Sequence, residues 1–101
     1  MSEEIFVKIH ESYRKVIVIC DSDLIGKKVK EGIIQLDVKE NFYSGDKMSE
    51  QEIASLIKNM ERDFPSYNIV GKKAISLCIK EKLISEQGVK TISGIPHAMV
   101  F

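Results

Sequence analysis

Apolar positions recur along this chain with two different periods, and each change of period marks an element. Ile5, Val7 and Ile9 fall on one side of a β-branched and aromatic run, the period of a strand with one buried face. Val16, Ile17, Val18, Ile19 and Cys20 are apolar on both sides, which predicts a central strand covered on both faces. The short stretch between the two runs, residues 10–15, suits an antiparallel hairpin better than a helical crossover. A third strand is predicted over residues 33–38 after the Glu31-Gly32 turn, with Ile34, Leu36 and Val38 on its buried face.

Phe42, Tyr43, Ser44, Gly45 and Asp46 read as a turn with two aromatics leading into it. From Ser49 the period lengthens. Ser49 and Glu52 form a capping box, Ile53, Leu56, Ile57, Met60 and Phe64 recur at helical spacing, and Pro65 ends the helix. Residues 67–70 predict a short strand. Gly71 leads into a second helix reaching about Leu83, with Ala74, Ile75, Cys78 and Ile79 as its apolar stripe and Leu77 and Leu83 broadening it. Residues 85–89 allow one further helical turn, and residues 97–101 read as a short closing strand. The order predicts an α/β (α+β) fold: a single small domain over residues 1–101, with a mixed β-sheet of about four to five short strands packed with two main helices.

Composition narrows the function classes. Hydrophobic residues make up 44% and charged residues 30%, as in a soluble globular domain. Fifteen basic side chains balance fifteen acidic ones, so no global field draws the protein to nucleic acid or to a membrane, and any such binding has to come from a local patch. Cys20 and Cys78 sit in apolar runs far apart in sequence and read as small buried hydrophobes rather than a disulfide framework. Residues 1–4 are acidic, unlike the basic start of a signal peptide, and no apolar run approaches the ~20 residues of a membrane span. A reduced, cytoplasmic protein with no membrane partner is expected.

Two polar segments, each ending an apolar run, hold the candidate chemistry: Cys20-Asp21-Ser22-Asp23-Leu24-Ile25-Gly26-Lys27 and Ser93-Gly94-Ile95-Pro96-His97-Ala98. Asp21 and Asp23 are paired carboxylates of the kind that hold Mg²⁺. The favoured reading is that Asp21 or Ser22 caps a helical turn which Gly26 ends in the left-handed conformation, so no metal is assigned. Lys27, Lys28 and Lys30 form the densest basic run, suited to phosphate contact. Gly71, Lys72 and Lys73 place cations at a helix start, where free amides attract anions, although a tight strand-to-helix turn is the favoured account of Gly71. His97, stiffened by Pro96, can carry a proton near neutral pH or stack on a base; the structural alternative is an imidazole bonded to backbone. Cys20, Cys78, His10 and His97 suffice in number for zinc but lack ligand spacing, so no cofactor is predicted.

Several of these segments together resemble a known family. Cys20-Asp21 with Leu24-Ile25-Gly26-Lys27, Glu31-Gly32-Ile33-Ile34-Gln35-Leu36, Phe42-Tyr43-Ser44-Gly45, Asn68-Ile69-Val70-Gly71 and Gly94-Ile95-Pro96-His97-Ala98 look like an archaeal family catalogued as domain of unknown function 424. The resemblance runs from Ile5 to Val100, and its last motif is the most specific. It implies a small archaeal cytoplasmic protein and brings no established reaction, cofactor or catalytic residue. The family's association with information-processing proteins turns the reading toward translation.

The expectation is therefore a non-enzymatic accessory module that binds RNA or a ribonucleoprotein. Lys27, Lys28, Lys30, Lys72 and Lys73 would contact phosphate, and His97 would shape the recognition surface. The alternative is a small-ligand or enzymatic site joining Asp21, Asp23, Lys27 and His97, framed by Gly26, Gly94 and Pro96. A third reading exposes Phe42 and Tyr43 as aromatic anchors for a protein partner.

Overall fold

The computed structural model describes residues 5–11 and 13–101; the acidic residues 1–4, and Ser12 in the predicted hairpin connection, lie outside the described residues. In chain order the elements are β1 (Ile5–His10), β2 (Val16–Asp21), β3 (Lys28–Glu31), β4 (Ile34–Asp37), α1 (Glu40–Tyr43), β5 (Asp46–Met48), α2 (Glu50–Asn59), β6 (Ser66–Val70), α3 (Lys72–Lys80), β7 (Lys90–Ile92) and β8 (Ile95–Val100). Six strands form one mixed sheet in the order β5-β1-β2-β6-β8-β7, and β3 and β4 form a separate two-stranded ribbon. β1 and β2 pair antiparallel, while β2 and β6, the two central strands, run parallel.

The pleat of the central strands divides the core in two. Ile17, Ile19, Tyr67 and Ile69 face α2 and α3 and pack with Ile53, Ile57, Ala74 and Cys78. Val18, Cys20 and Val70 face the other way, where the ribbon and α1 cover them with Leu36, Val38 and Tyr43. Both main helices thus lie on one face. The second layer is made by the segment between Gly26 and Gly45.

Eight strands replace the predicted four to five because β3, β5 and β7 carry little apolar signal. Their sequences, Lys-Val-Lys-Glu, Asp-Lys-Met and Lys-Thr-Ile, belong to sheet edges and a ribbon, where backbone pairing suffices. The Phe42-Tyr43 segment is not simply a turn: it completes α1, and β5 follows directly. Ile34 shares a side of its strand with Leu36, but the ribbon's end leaves it 54% exposed while Leu36 and Val38 are buried. Helix α2 starts at the predicted capping box, with Glu52 N–H donating to Ser49 Oγ and Ser49 N–H to Glu52 Oε1. It ends at Asn59, earlier than the apolar stripe implied. Pro65 disfavours helical backbone at Phe64, which takes a left-handed conformation and turns its ring to solvent. The turn predicted over residues 85–89 is present as a short 3₁₀ segment, Glu86–Gly88.

Candidate functional site

Asp21 ends β2 on the face that carries α3. Its carboxylate accepts N–H bonds from Ala74 at 2.8 Å and Lys73 at 3.1 Å, so it caps a helix more than fifty residues away. The capping expectation is thereby relocated: the short Ser22–Leu24 turn beside it has no side-chain cap. Gly71 makes this approach possible. Its φ of 111° and ψ of 153° are open essentially to glycine alone, and a Cβ there would stand 2.3 Å from Asp21 Cγ. Gly71 N–H donates to Pro96 O at 2.9 Å, which ties β8 to the same corner.

Burial pushes the Asp21 carboxyl above its ordinary value; the two amide bonds pull it back, Asp23 adds to the rise and Lys73 opposes it. The helix N-terminus is already occupied. An anion entering there would have to compete with a carboxylate that satisfies two of the free amides, which removes most of the attraction predicted for the Gly71-Lys72-Lys73 corner.

The second polar segment reaches this corner through a two-residue hairpin loop. Ser93 and Gly94 both have positive φ, 49° and 84°, the type I′ pattern that matches strand twist between β7 and β8. Ser93 N–H donates to Glu31 Oε1 at 2.7 Å and Ser93 Oγ to Lys30 O at 2.7 Å, which pins the β3–β4 ribbon to this loop. At the ribbon's other end Gly26 N–H donates to Val38 O at 2.7 Å, with Gly26 at a φ of 89° as the left-handed residue expected there. Gly32, at a φ of 64°, opens the two-residue turn that leaves Ile33 fully exposed.

The two polar segments therefore meet. A cleft of about 230 Å³ is lined by Asp21, Asp23, Gly71, Lys72, Gly94 and Pro96, with Lys73, Leu24 and Ile95 completing its wall. Gly26, Lys27, Lys28, Lys30 and His97 are not part of it. Lys28 and Lys30 alternate with Val29 along β3; Val29 and its neighbour Leu36 turn inward, leaving both lysines exposed opposite Asp37 and Gln35. Lys27 precedes them, also exposed. Among the described residues none of these three lysines, nor Lys72, is held in an ion pair.

His97 pairs with Val70 and Lys90 and so shares their side of the sheet, the side away from Asp21. Burial, aided by the charge of Lys90, lowers its pKa and keeps the ring neutral at pH 7. The constellation of Asp21, Asp23, Lys27 and His97 is thus split by the sheet. Cys20 and Cys78 are likewise on opposite faces, and burial pushes each thiol up to about 12. Among the described residues no three His, Cys, Asp or Glu side chains gather as a metal site. Phe42 and Tyr43 are not solvent anchors: Tyr43 is buried, and Phe42 stacks on His10 at 4.3 Å while its carbonyl bonds His10 Nε2 at 3.0 Å. No helix among the described residues is long and apolar enough to cross a membrane.

Sequence reasoning passes over Asn68 and Glu31. Asn68, a polar residue inside an apolar strand, is a legible signal; it is buried beside Tyr43 with its Oδ1 unpartnered. The bond of Glu31 to Ser93 joins residues sixty-two positions apart and leaves no local trace.

Comparison with known proteins bears on the fold. A family described as "Protein of unknown function (DUF424)" matches residues 9–101. The crystal structure of an uncharacterized conserved protein from Methanopyrus kandleri is similar with a TM-score of 0.84 at 26% identity, covering 96% of this chain and 90% of that one. No protein of curated function matches.

Proposed function

The chain belongs to the DUF424 family of proteins of unknown function, and from that premise we propose that it is a non-enzymatic module binding the phosphate backbone of RNA, free or within a ribonucleoprotein. The observation that carries this reading is the β3–β4 ribbon. Val29 and Leu36 anchor it from beneath, Ser93 pins its edge, and Lys28 and Lys30 stand on its outer side, two residues or about 7 Å apart. Lys27 extends the row, and none of the three is neutralised by an ion pair among the described residues. Lysines held on a rigid support lose little backbone entropy on meeting phosphates, and they contribute sequence-blind, salt-sensitive affinity. Lys72, at the cleft, supplies a further cation. The balanced total charge fits a patch that guides local docking rather than a strong general polyanion binder.

The test is anisotropy of a labelled single-stranded RNA titrated with protein across a salt series. Three lysine contacts predict a log–log salt slope of about −2 from these residues, and the Lys27→Ala/Lys28→Ala/Lys30→Ala protein should lose that part of the slope. No binding at low salt, or a slope unchanged in the triple variant, would remove the proposal.

A second reading is favoured by the convergence of the two polar segments on the cleft: a small ligand held between Lys72, Asp23 and the Gly94–Pro96 backbone. A thermal-shift screen with small polar metabolites, neutral and charged, separates it from the first, because the lysine-to-alanine variant would keep any such shift.

A further inference from the structure

The β3–β4 ribbon ends in an apolar tip. Its two-residue turn, Gly32 and Ile33, follows the last paired residues, Glu31 and Ile34. Ile33 is fully exposed, more so than any other aliphatic side chain among the described residues, and Ile34 beside it is half-exposed. The turn's demand for positive φ is met by Gly32 alone, so its second position is open to most residues and commonly polar. An isoleucine there answers neither a backbone need nor a packing need. The tip also stands clear: apart from the chain neighbours of Gly32, no atom of the described residues lies within 4 Å of the place its Cβ would take.

Behind the tip the ribbon is fixed. Ser93 bonds both Glu31 and Lys30, so the β7–β8 loop stands level with the ribbon's last pair and the turn projects beyond it. The same contact draws the Glu31 carboxylate, the acid next to the turn, toward Ser93 N–H. Isoleucine is itself stiff at χ1, so seating it against a partner costs little side-chain entropy. Lys30, Lys28 and Lys27, all exposed, lead back from this end along one strand.

We propose, resting on the phosphate-binding reading above, that Ile33 is a wedge which enters an RNA helix where its stacking is already interrupted, at a bulged nucleotide. Apolar side chains set between base steps, with cations on the flanking phosphates, are a recurrent means of gripping a deformed helix. The projecting reach is one side chain, which suits the wide, shallow minor groove of an RNA helix and not its deep, narrow major groove. Burying one aliphatic side chain offsets at most part of the cost of parting a stacked step. A fully paired helix therefore offers Ile33 no gain, whereas a bulge does. A bilayer fits the ribbon less well. Entered tip first, it would meet Ile33 and Ile34 but leave Lys28 three residues, about 10 Å, behind Glu31, with Lys27 farther still. That is about a Debye length, whereas an RNA strand running along the ribbon meets all three lysines.

The test is binding of the full chain to two RNA hairpins with the same stem, one fully paired and one carrying a bulged nucleotide beside 2-aminopurine, across a salt series. The bulged RNA should bind about tenfold tighter, the worth of burying one aliphatic side chain, and 2-aminopurine fluorescence should rise on binding. Ile33→Ser, at a fully exposed position, should keep its thermal midpoint and its salt slope on the paired stem. It should lose both the tenfold preference and the fluorescence change. The Lys27→Ala/Lys28→Ala/Lys30→Ala protein should bind both RNAs more weakly. Equal affinity of the wild type for the two RNAs, or a preference untouched by Ile33→Ser, overturns the wedge and leaves the lysine reading standing. Absence of lysine-dependent binding to either RNA removes both. Ile33-dependent cosedimentation with phosphatidylserine vesicles, without RNA binding, overturns the wedge in favour of a bilayer.

Discussion

Gly71→Ala tests the corner on which both polar segments depend. The methyl group would stand 2.3 Å from Asp21 Cγ, 2.6 Å from its Oδ2 and 2.7 Å from its Cβ. Asp21 is 5% exposed and bonded to two amides, so it cannot swing aside freely. Alanine at a φ of 111° itself costs about 1–3 kcal/mol. Displacing the carboxylate weakens two charge-assisted hydrogen bonds, adding about 2 kcal/mol. The single variant should thus lose about 4 kcal/mol, a large part of the roughly 5–15 kcal/mol typical of such domains. Asp21→Ala alone should lose about 3 kcal/mol through the same two bonds. The double variant should lose about 6 kcal/mol rather than the roughly 7 kcal/mol of simple addition, because the loss of the two amide bonds is then counted once, while the backbone strain at position 71 and the 2.7 Å approach to the Cβ of residue 21 both remain. Urea unfolding followed by circular dichroism measures all four corners of this cycle. Additivity to within about 0.5 kcal/mol would refute the contact between Gly71 and Asp21 as the reason glycine is needed.

Two further predictions concern titrating groups. Burial holds both thiols near a pKa of about 12, so at pH 8 about one in ten thousand is ionised; Cys20 and Cys78 should ignore Ellman's reagent in the native protein and both react in denaturant, and stoichiometric labelling of the native form would contradict their burial. His97 has a folded pKa below its unfolded value through burial and Lys90, so the unfolded chain binds its proton more readily; its contribution to stability is present above about pH 6.5 and is lost as pH falls through the folded pKa. An NMR titration should place His97 below the ordinary histidine value, with Lys90→Gln moving it upward, and an unmoved midpoint would rule out Lys90 as a cause.

Legibility follows the range of the interactions. The capping box at Ser49 and Glu52 lies within one helical turn and is plain in the sequence, as are the doubly buried β2 and the parity of Ile53 and Ile57. The left-handed backbone of Gly26 is equally plain, since its own turn sets that demand. The partner of Asp21 is not legible. A carboxylate at a strand's end caps whatever amides the fold brings to it, and here they belong to Lys73 and Ala74 rather than to the adjoining turn. The separation of His97 from Asp21 is also out of reach, because strand order and register determine which sides two distant residues share.

What the sequence determined by itself is the set of elements whose stabilisation is local or periodic: two amphipathic helices, the central strands, the turns that need glycine, and the presence of two polar segments at strand ends. Tertiary structure decided what those segments meet. It closed a cleft between them, covered the second sheet face with a ribbon in which β3 carries almost no apolar signal, and turned three lysines outward on that support. The reason is physical. Periodicity records which side of an element avoids water, whereas a site is made by contacts between residues fifty or more positions apart, which no local pattern encodes.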